Sequence, residues 1–226
     1  MLLQLSALLL WLLLPTLTCC NESNARSALF KSNSETVYDA ARIARTLVDN
    51  SKLSIGNMAT IFPDDGSELS SYPFSMQEYY ASCHSNGSLT LIFLPISRHS
   101  KNIIHGRPHA ASISVTATVP AASRPRVSLL GNVTVFTETS KVPDLATIKE
   151  CYLAKHPDAR WWLPDDEDAA HLAYWARFDP HAVYFVGGFG GLHYIGYIPL
   201  EVYQEAKADV GLLDDSYTPF REQVQQ

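Results

Sequence analysis

The run ASISVTATV, residues 111–119, alternates strictly: Ala111, Ile113, Val115, Ala117 and Val119 fall on one side, and Ser112, Ser114, Thr116 and Thr118 on the other. Successive side chains of a strand point to opposite faces, so this run is a strand with one face on a core and one toward water. That pattern belongs to antiparallel sheets. Working outward, similar runs lie at 54–62 (SIGNMATIF), 72–81 (YPFSMQEYYA), 89–95 (LTLIFLP) and 126–136 (RVSLLGNVTVF), separated by Asp-Asp-Gly, Ser-Asn-Gly and Pro-rich turns. Three more, at 171–178 (HLAYWARF), 182–186 (AVYFV) and 192–198 (LHYIGYI), are read as separate strands. The run at 89–95 differs: Leu91, Ile92, Phe93 and Leu94 are all apolar, so both faces are covered, one by the core and the other by a helix or a second subunit. An uncovered apolar face favours association, and on this strand rests the expectation of a homodimer.

Three helices punctuate the strands. Val37, Ala40, Ala41, Ala44, Leu47 and Val48 recur at helical spacing, with Ser32 and Glu35 as a capping box. A second helix runs from Asp144 to Lys155 between Pro143 and Pro157, and a short one opens with Pro199 at its first position. Ser97 is placed to cap a further helix that follows a strand. No regular strand and helix alternation appears, so the fold class is α+β, a closed or split antiparallel barrel with flanking helices and not a doubly wound sheet.

Residues 1–20, with an apolar run from Ala7 to Leu14 and then Pro15, read as a signal peptide too short to span a bilayer, although no Lys or Arg precedes Ala7. Residues 21–33 are a polar leader, 34–206 the folded domain and 207–226 an acidic, aperiodic tail expected to be disordered. No membrane span follows the signal. Seventeen basic against 23 acidic residues give a net charge of −6, which argues against phosphate-backbone binding to nucleic acid. With Cys19 and Cys20 at the edge of the signal, the body keeps Cys83 and Cys151, either bridged or free. The eight histidines are scattered, and no metal site is expected. Sequons at Asn21, Asn86 and Asn132 accompany the signal segment; Asn86 sits in a turn and Asn132 on the outward side of its strand.

Four of the eleven glycines crowd into residues 187–191. Such a cluster serves either a tight turn or bulge, or a backbone that must approach a ligand.

Together, PFSM (73–76), LPISRHSKNI (94–103), RPRVSLLGNV (124–133), YLAKHPDARWW (152–162) and VYFVGGFGGLHYIGYIPLEVYQEA (183–206) resemble the CREG-like family of secreted glycoproteins. They are also similar to its cousins among the pyridoxamine-phosphate-oxidase-like and haem-utilisation split barrels. The resemblance covers about residues 34–206 and implies a six-stranded FMN-binding-type split barrel. It also implies dimerisation through a sheet face, and secreted or vacuolar/endolysosomal localisation. Haem-utilisation relatives place a GGFG run similarly, which makes the glycines look like a turn of the fold.

The stretch that would hold flavin phosphate is ISRHSKN (96–102), with Ser97, Arg98, Ser100 and Lys101 and free backbone N–H groups at a helix start. His99 falls near the position of a phosphate-binding Lys in the oxidases. Two departures weaken the oxidase reading: SSYPFSM (70–76) carries no cation where the oxidases place two, and SYTPFREQVQQ (216–226) lacks their substrate-binding Arg and Pro motif. Trp161 and Trp162 read as core or interface residues, and residues 165–168 as a solvated acidic loop. The leading reading is a dimeric binding protein with a weak or vestigial FMN site, meeting a flavin or a protein receptor. The alternative is an FMN-dependent oxidoreductase, and haem binding comes third.

Overall fold

A computed structural model describes residues 34–106, 108–164, 166, 168–169, 171–189 and 191–209. Residues 1–33, which include the expected signal segment, Cys19, Cys20 and Asn21, and residues 210–226 lie outside them.

The chain runs α1 (Val37–Asp49), β1 (Ile55–Ile61), β2 (Pro73–Tyr79), β3 (Leu89–Phe93), α2 (Arg98–His105), β4 (Ala110–Thr116) and β5 (Arg126–Phe136). It continues through α3 (Leu145–Lys155), β6 (Tyr174–Val186), β7 (Ile195–Ile198) and α4 (Leu200–Glu205), with short 3₁₀ turns at Thr139–Lys141 and Pro157–Trp161. The strands form one sheet in the order β2-β1-β4-β5-β6-β3, and β7 also pairs with β6. Every pairing is antiparallel. The expected α+β class is therefore observed.

The runs expected as two strands, 171–178 and 182–186, belong to a single thirteen-residue strand, β6. Pro180 between them has no N–H for the ladder, and a proline inside a strand is tolerated at a bulge. Here the register with β5 shifts between Leu130 and Gly131, so that His181 is the extra residue on β6. Gly131 makes the bend possible, because a Cβ there would run into the carbonyl of Asp179 and the Cα of Pro180. The first half of β6 pairs with β3 and the second half with β7, both along the edge left free by β5.

The alternating run behaves as read as far as Ala117: Ala111, Ile113, Val115 and Ala117 are buried on the inner face. Strand β4 ends at Thr116, and Val119, expected on the same side, is exposed because the chain has left the sheet there. Ala40, Ala41, Ala44, Leu47 and Val48 of α1 pack into the same cluster with Met58, Leu129, Phe178, Val183 and Phe185. The alanines let the helix backbone approach the sheet closely. Helix α1 starts differently from expectation. Its N-cap is Thr36, which forms a capping box with Asp39, while Ser32 lies outside the described residues. Likewise Pro199 is the residue before α4 and not its first position.

A second cluster lies on the other side of the sheet: Ile148 and Tyr152 of α3 cover Ile92 and Trp175, with Ala81, Ala159 and Leu163 around them. All of β3 is thus buried within one chain, and Ile92 is only 7% exposed. Of the two covers expected for this strand, a helix or a second subunit, α3 supplies the first, so β3 leaves no apolar face that would require a partner chain. Cys83 and Cys151 are joined, which clamps α3 to the segment before β3. Trp162 packs against this second cluster, whereas Trp161 is 68% exposed. Beyond α4, Asp209 N–H donates to Thr46 Oγ1 at 2.9 Å, so the chain stays on α1 for at least three residues of the segment expected to be disordered. Among the described residues, no helix is long and apolar enough to cross a membrane.

Candidate functional site

The helix start after β3 is built as the sequence pattern requires. Ser97 is extended, and its Oγ accepts from Ser100 N–H at 3.2 Å and donates to Ser100 Oγ at 2.8 Å. The four candidate residues are brought together along one turn but do not face one way. Ser97 is half-buried and spends its hydroxyl on the cap. Ser100 is wholly buried. Arg98 lies over the Phe62 ring at 5.0 Å, turned toward the 62–67 loop. Bonds from Ser67 hold the Asp65 carboxyl below the usual range, with the Arg98 charge as a minor further cause. Lys101 is exposed, and its Nζ makes no hydrogen bond or ion pair among the described residues.

His99 points into the protein. Its Nδ1 pairs with Thr60 Oγ1 at 3.2 Å, its Nε2 with the Met76 carbonyl at 3.3 Å, and its ring meets Phe74 edge to face at 5.0 Å. Asn102 Nδ2 donates to Thr60 Oγ1 at 3.0 Å, while its buried Oδ1 has no partner. Burial holds the His99 pKa below the ordinary histidine value, against a smaller opposing pull from the Met76 carbonyl. The inward-facing imidazole ties α2 to β1 and β2, and does not substitute for a phosphate-binding lysine. Sequence reasoning missed this Thr60–His99–Asn102 network, although the i, i+3 spacing of His99 and Asn102 on one helical face is a usable signal.

Strand β2 lines the same region without a cation, and it carries Glu78, whose carboxyl burial pushes up to about 7. A flavin phosphate needs convergent positive charge and free donors. Two exposed cations, one already stacked on an aromatic ring, with both serines turned to each other, do not complete that cradle. The residues present do not fit the group as the oxidases hold it. Among the described residues, no cluster of three His, Cys, Asp or Glu is placed to hold a metal ion.

The crowded glycines have a role inside the fold. The Glu35 backbone N–H donates to the Leu192 carbonyl at 2.8 Å, and Glu35 Oε2 accepts from Tyr194 N–H at 3.0 Å and pairs with His193 Nδ1 at 3.2 Å. A Cβ on Gly187 would occupy the place of the Glu35 carboxylate. The turn therefore receives the segment that enters α1.

The sequence profile described as CREG, beta-barrel matches residues 35–205. The chain belongs to the CREG β-barrel family. Solved structures agree on the fold. A heme binding protein from Mycobacterium smegmatis superposes with a TM-score of 0.58 at 23% identity, over 75% of this chain and 62% of that one. A protein of unknown function from Agrobacterium tumefaciens gives 0.51 at 21% identity, over 68% and 60%. The CREG-family chain thus spans somewhat less than two thirds of these two proteins. No curated protein sequence matches it significantly. This CREG β-barrel has the split-barrel fold, and the two sequon asparagines among the described residues stand at its surface: Asn86 is exposed in a turn, and Asn132 half-exposed on the outer face of β5.

Proposed function

We propose that this protein is a glycoprotein of the secretory pathway, secreted or delivered to a vacuolar or endolysosomal compartment. It acts as a dimeric binding protein whose flavin-type site is vestigial. The observation that carries the reading is the helix start at 97–101, where Ser100 and His99 are turned into the protein and β2 offers no cation. The Cys83–Cys151 bridge supports an oxidising compartment, since disulfides persist there and are rare in the cytosol. The accessible Asn86 side chain suits glycan attachment.

The test is a titration of FMN followed by flavin fluorescence. Binding to the unmodified protein is expected to be weaker than about 100 μM. Arg98→Ala with Lys101→Ala is expected to alter stability by no more than about 0.5 kcal/mol. Saturable micromolar binding that disappears in this double variant would overturn the reading and favour an FMN-dependent oxidoreductase.

The dimer pairs through the outer face of β5, β6 and β7. There Leu130, Tyr184, Ile195 and Tyr197 are exposed on one side of the sheet, and Tyr184 meets Tyr197 edge to face at 5.1 Å. The exposed apolar cluster and the dimeric habit implied by the family resemblance favour a second copy as its occupant. Light scattering is expected to return twice the chain mass for the unmodified protein and a monomer for Tyr184→Glu with Tyr197→Glu. A monomeric unmodified chain sinks the proposed interface.

A further inference from the structure

A cavity of about 160 Å³ lies between α3 and the β3–β6 side of the sheet, away from the helix start at 97–101. One part of its wall is apolar, made by Phe136, Val142, Ile148 and Trp175. Elsewhere it is lined by His84, Thr90 and Arg177. A cavity of roughly 150 Å³ holds a body the size of benzene. The apolar wall thus matches a single ring or a branched alkyl group.

The polar groups decide the rest of the ligand. Thr90 and Arg177 are cross-strand partners on β3 and β6, so their side chains share a face. Asp179 binds the Nε of Arg177 at 3.0 Å and also accepts from Ser88 Oγ at 2.8 Å, which answers its negative charge. The terminal Nη–H groups of Arg177 have no hydrogen-bond partner among the described residues, and a guanidinium offers a planar pair of donors that matches a carboxylate. His84 Nε2 pairs with the buried Thr90 Oγ1 at 3.2 Å, which holds the imidazole beside this corner. Burial first, and the Arg177 charge second, keep the His84 pKa below the ordinary value. Asp144 also lines the cavity; its side chain makes no capping bond to α3, so it disfavours an anion near its own position and leaves the Arg177 corner as the anionic end.

We propose that this cavity is a binding site for a small organic acid, an aryl or branched alkyl carboxylate, with its apolar body against Ile148 and Trp175 and its carboxylate at Arg177 and His84. Nothing in this assignment depends on a flavin at residues 97–101.

The test is ligand-observed NMR titration of phenylacetate, 2-phenylethanol and phenethylamine against the unmodified protein and two variants. Phenylacetate is expected to bind saturably with a Kd of about 1 mM or tighter, and the neutral and cationic compounds about tenfold more weakly. Thr147 is exposed and lines the cavity, so Thr147→Trp obstructs the opening without touching the core and is expected to weaken phenylacetate at least about tenfold. Arg177→Gln is expected to bring the acid down to the level of the alcohol. Absence of saturable phenylacetate binding overturns the proposal. So does equal binding of the alcohol or the amine, or binding indifferent to Thr147→Trp; this last variant keeps the test decisive if Arg177→Gln does not fold.

Discussion

Arg45→Ala is expected to lower the unfolding free energy by about 3–5 kcal/mol, the cost of breaking a buried ion pair by removing one member. Arg45 is 5% exposed in the middle of α1. Its Nη2 and Nε donate to Asp49 at 2.8 and 3.1 Å, and its Nη1 reaches the carbonyls of Ser85 at 3.2 Å and Gln204 at 3.4 Å. The guanidinium also lies 5.4 Å from the centre of the Tyr203 ring. One side chain therefore joins α1, the turn before β3 and α4. Truncation leaves two carbonyls unpaired and the Asp49 carboxylate, which also accepts from Ser82, without its cation. Urea unfolding should show a lower midpoint at unchanged slope. Arg45→Met with Asp49→Asn should cost less than the sum of the single changes, because the two residues share one interaction. A loss below about 1 kcal/mol for Arg45→Ala would show that the pair is no more than a surface ion pair.

Cys83→Ser with Cys151→Ser is expected to cost about 2–4 kcal/mol, the usual range for a bridge of this kind. The bridge spans 68 residues of sequence, and a cross-link over so long a loop removes many unfolded conformations. It also fastens α3 over the second apolar cluster, where Cys83 and Cys151 sit beside Ile148, Tyr152 and Trp175. For a domain of this size the loss corresponds to a fall in Tm of about 4–16 °C, measured by calorimetry on both forms. A change under about 1 °C would mean that packing alone holds α3 in place.

Much of this architecture is legible in local pattern, because a strand with one wet face writes its orientation into every second residue. Residues 111–117 and 126–136 are oriented correctly by that rule, whereas Val119 lies beyond β4 and is exposed. The pattern is silent where two solutions satisfy the same residues. Leu91, Ile92 and Phe93 require cover on both faces, but whether a helix or another chain supplies it depends on contacts with residues more than fifty positions away in α3. Pro180 reads as a break, and only Gly131 on the neighbouring strand turns it into a bend. At the helix start, Ser97 as a cap follows from position alone, whereas the inward turn of His99 is set by Thr60 and Met76 on other strands.

The placement of Glu35 against the turn at 187–194 bears on when the chain can fold during its synthesis. The residue that leads into the first helix of the domain is held by His193 and Tyr194, made 158 and 159 residues later, and β6, which pairs with β3, β5 and β7, also comes late. A nascent chain that has emerged only as far as β5 exposes the unpaired edge of that strand and the uncovered apolar side chains of β3. The completing contacts arrive only after α4 has left the ribosome, so this domain closes late and as a unit, not progressively as its strands emerge. Until then Leu91, Ile92 and Phe93 depend on keeping other chains away.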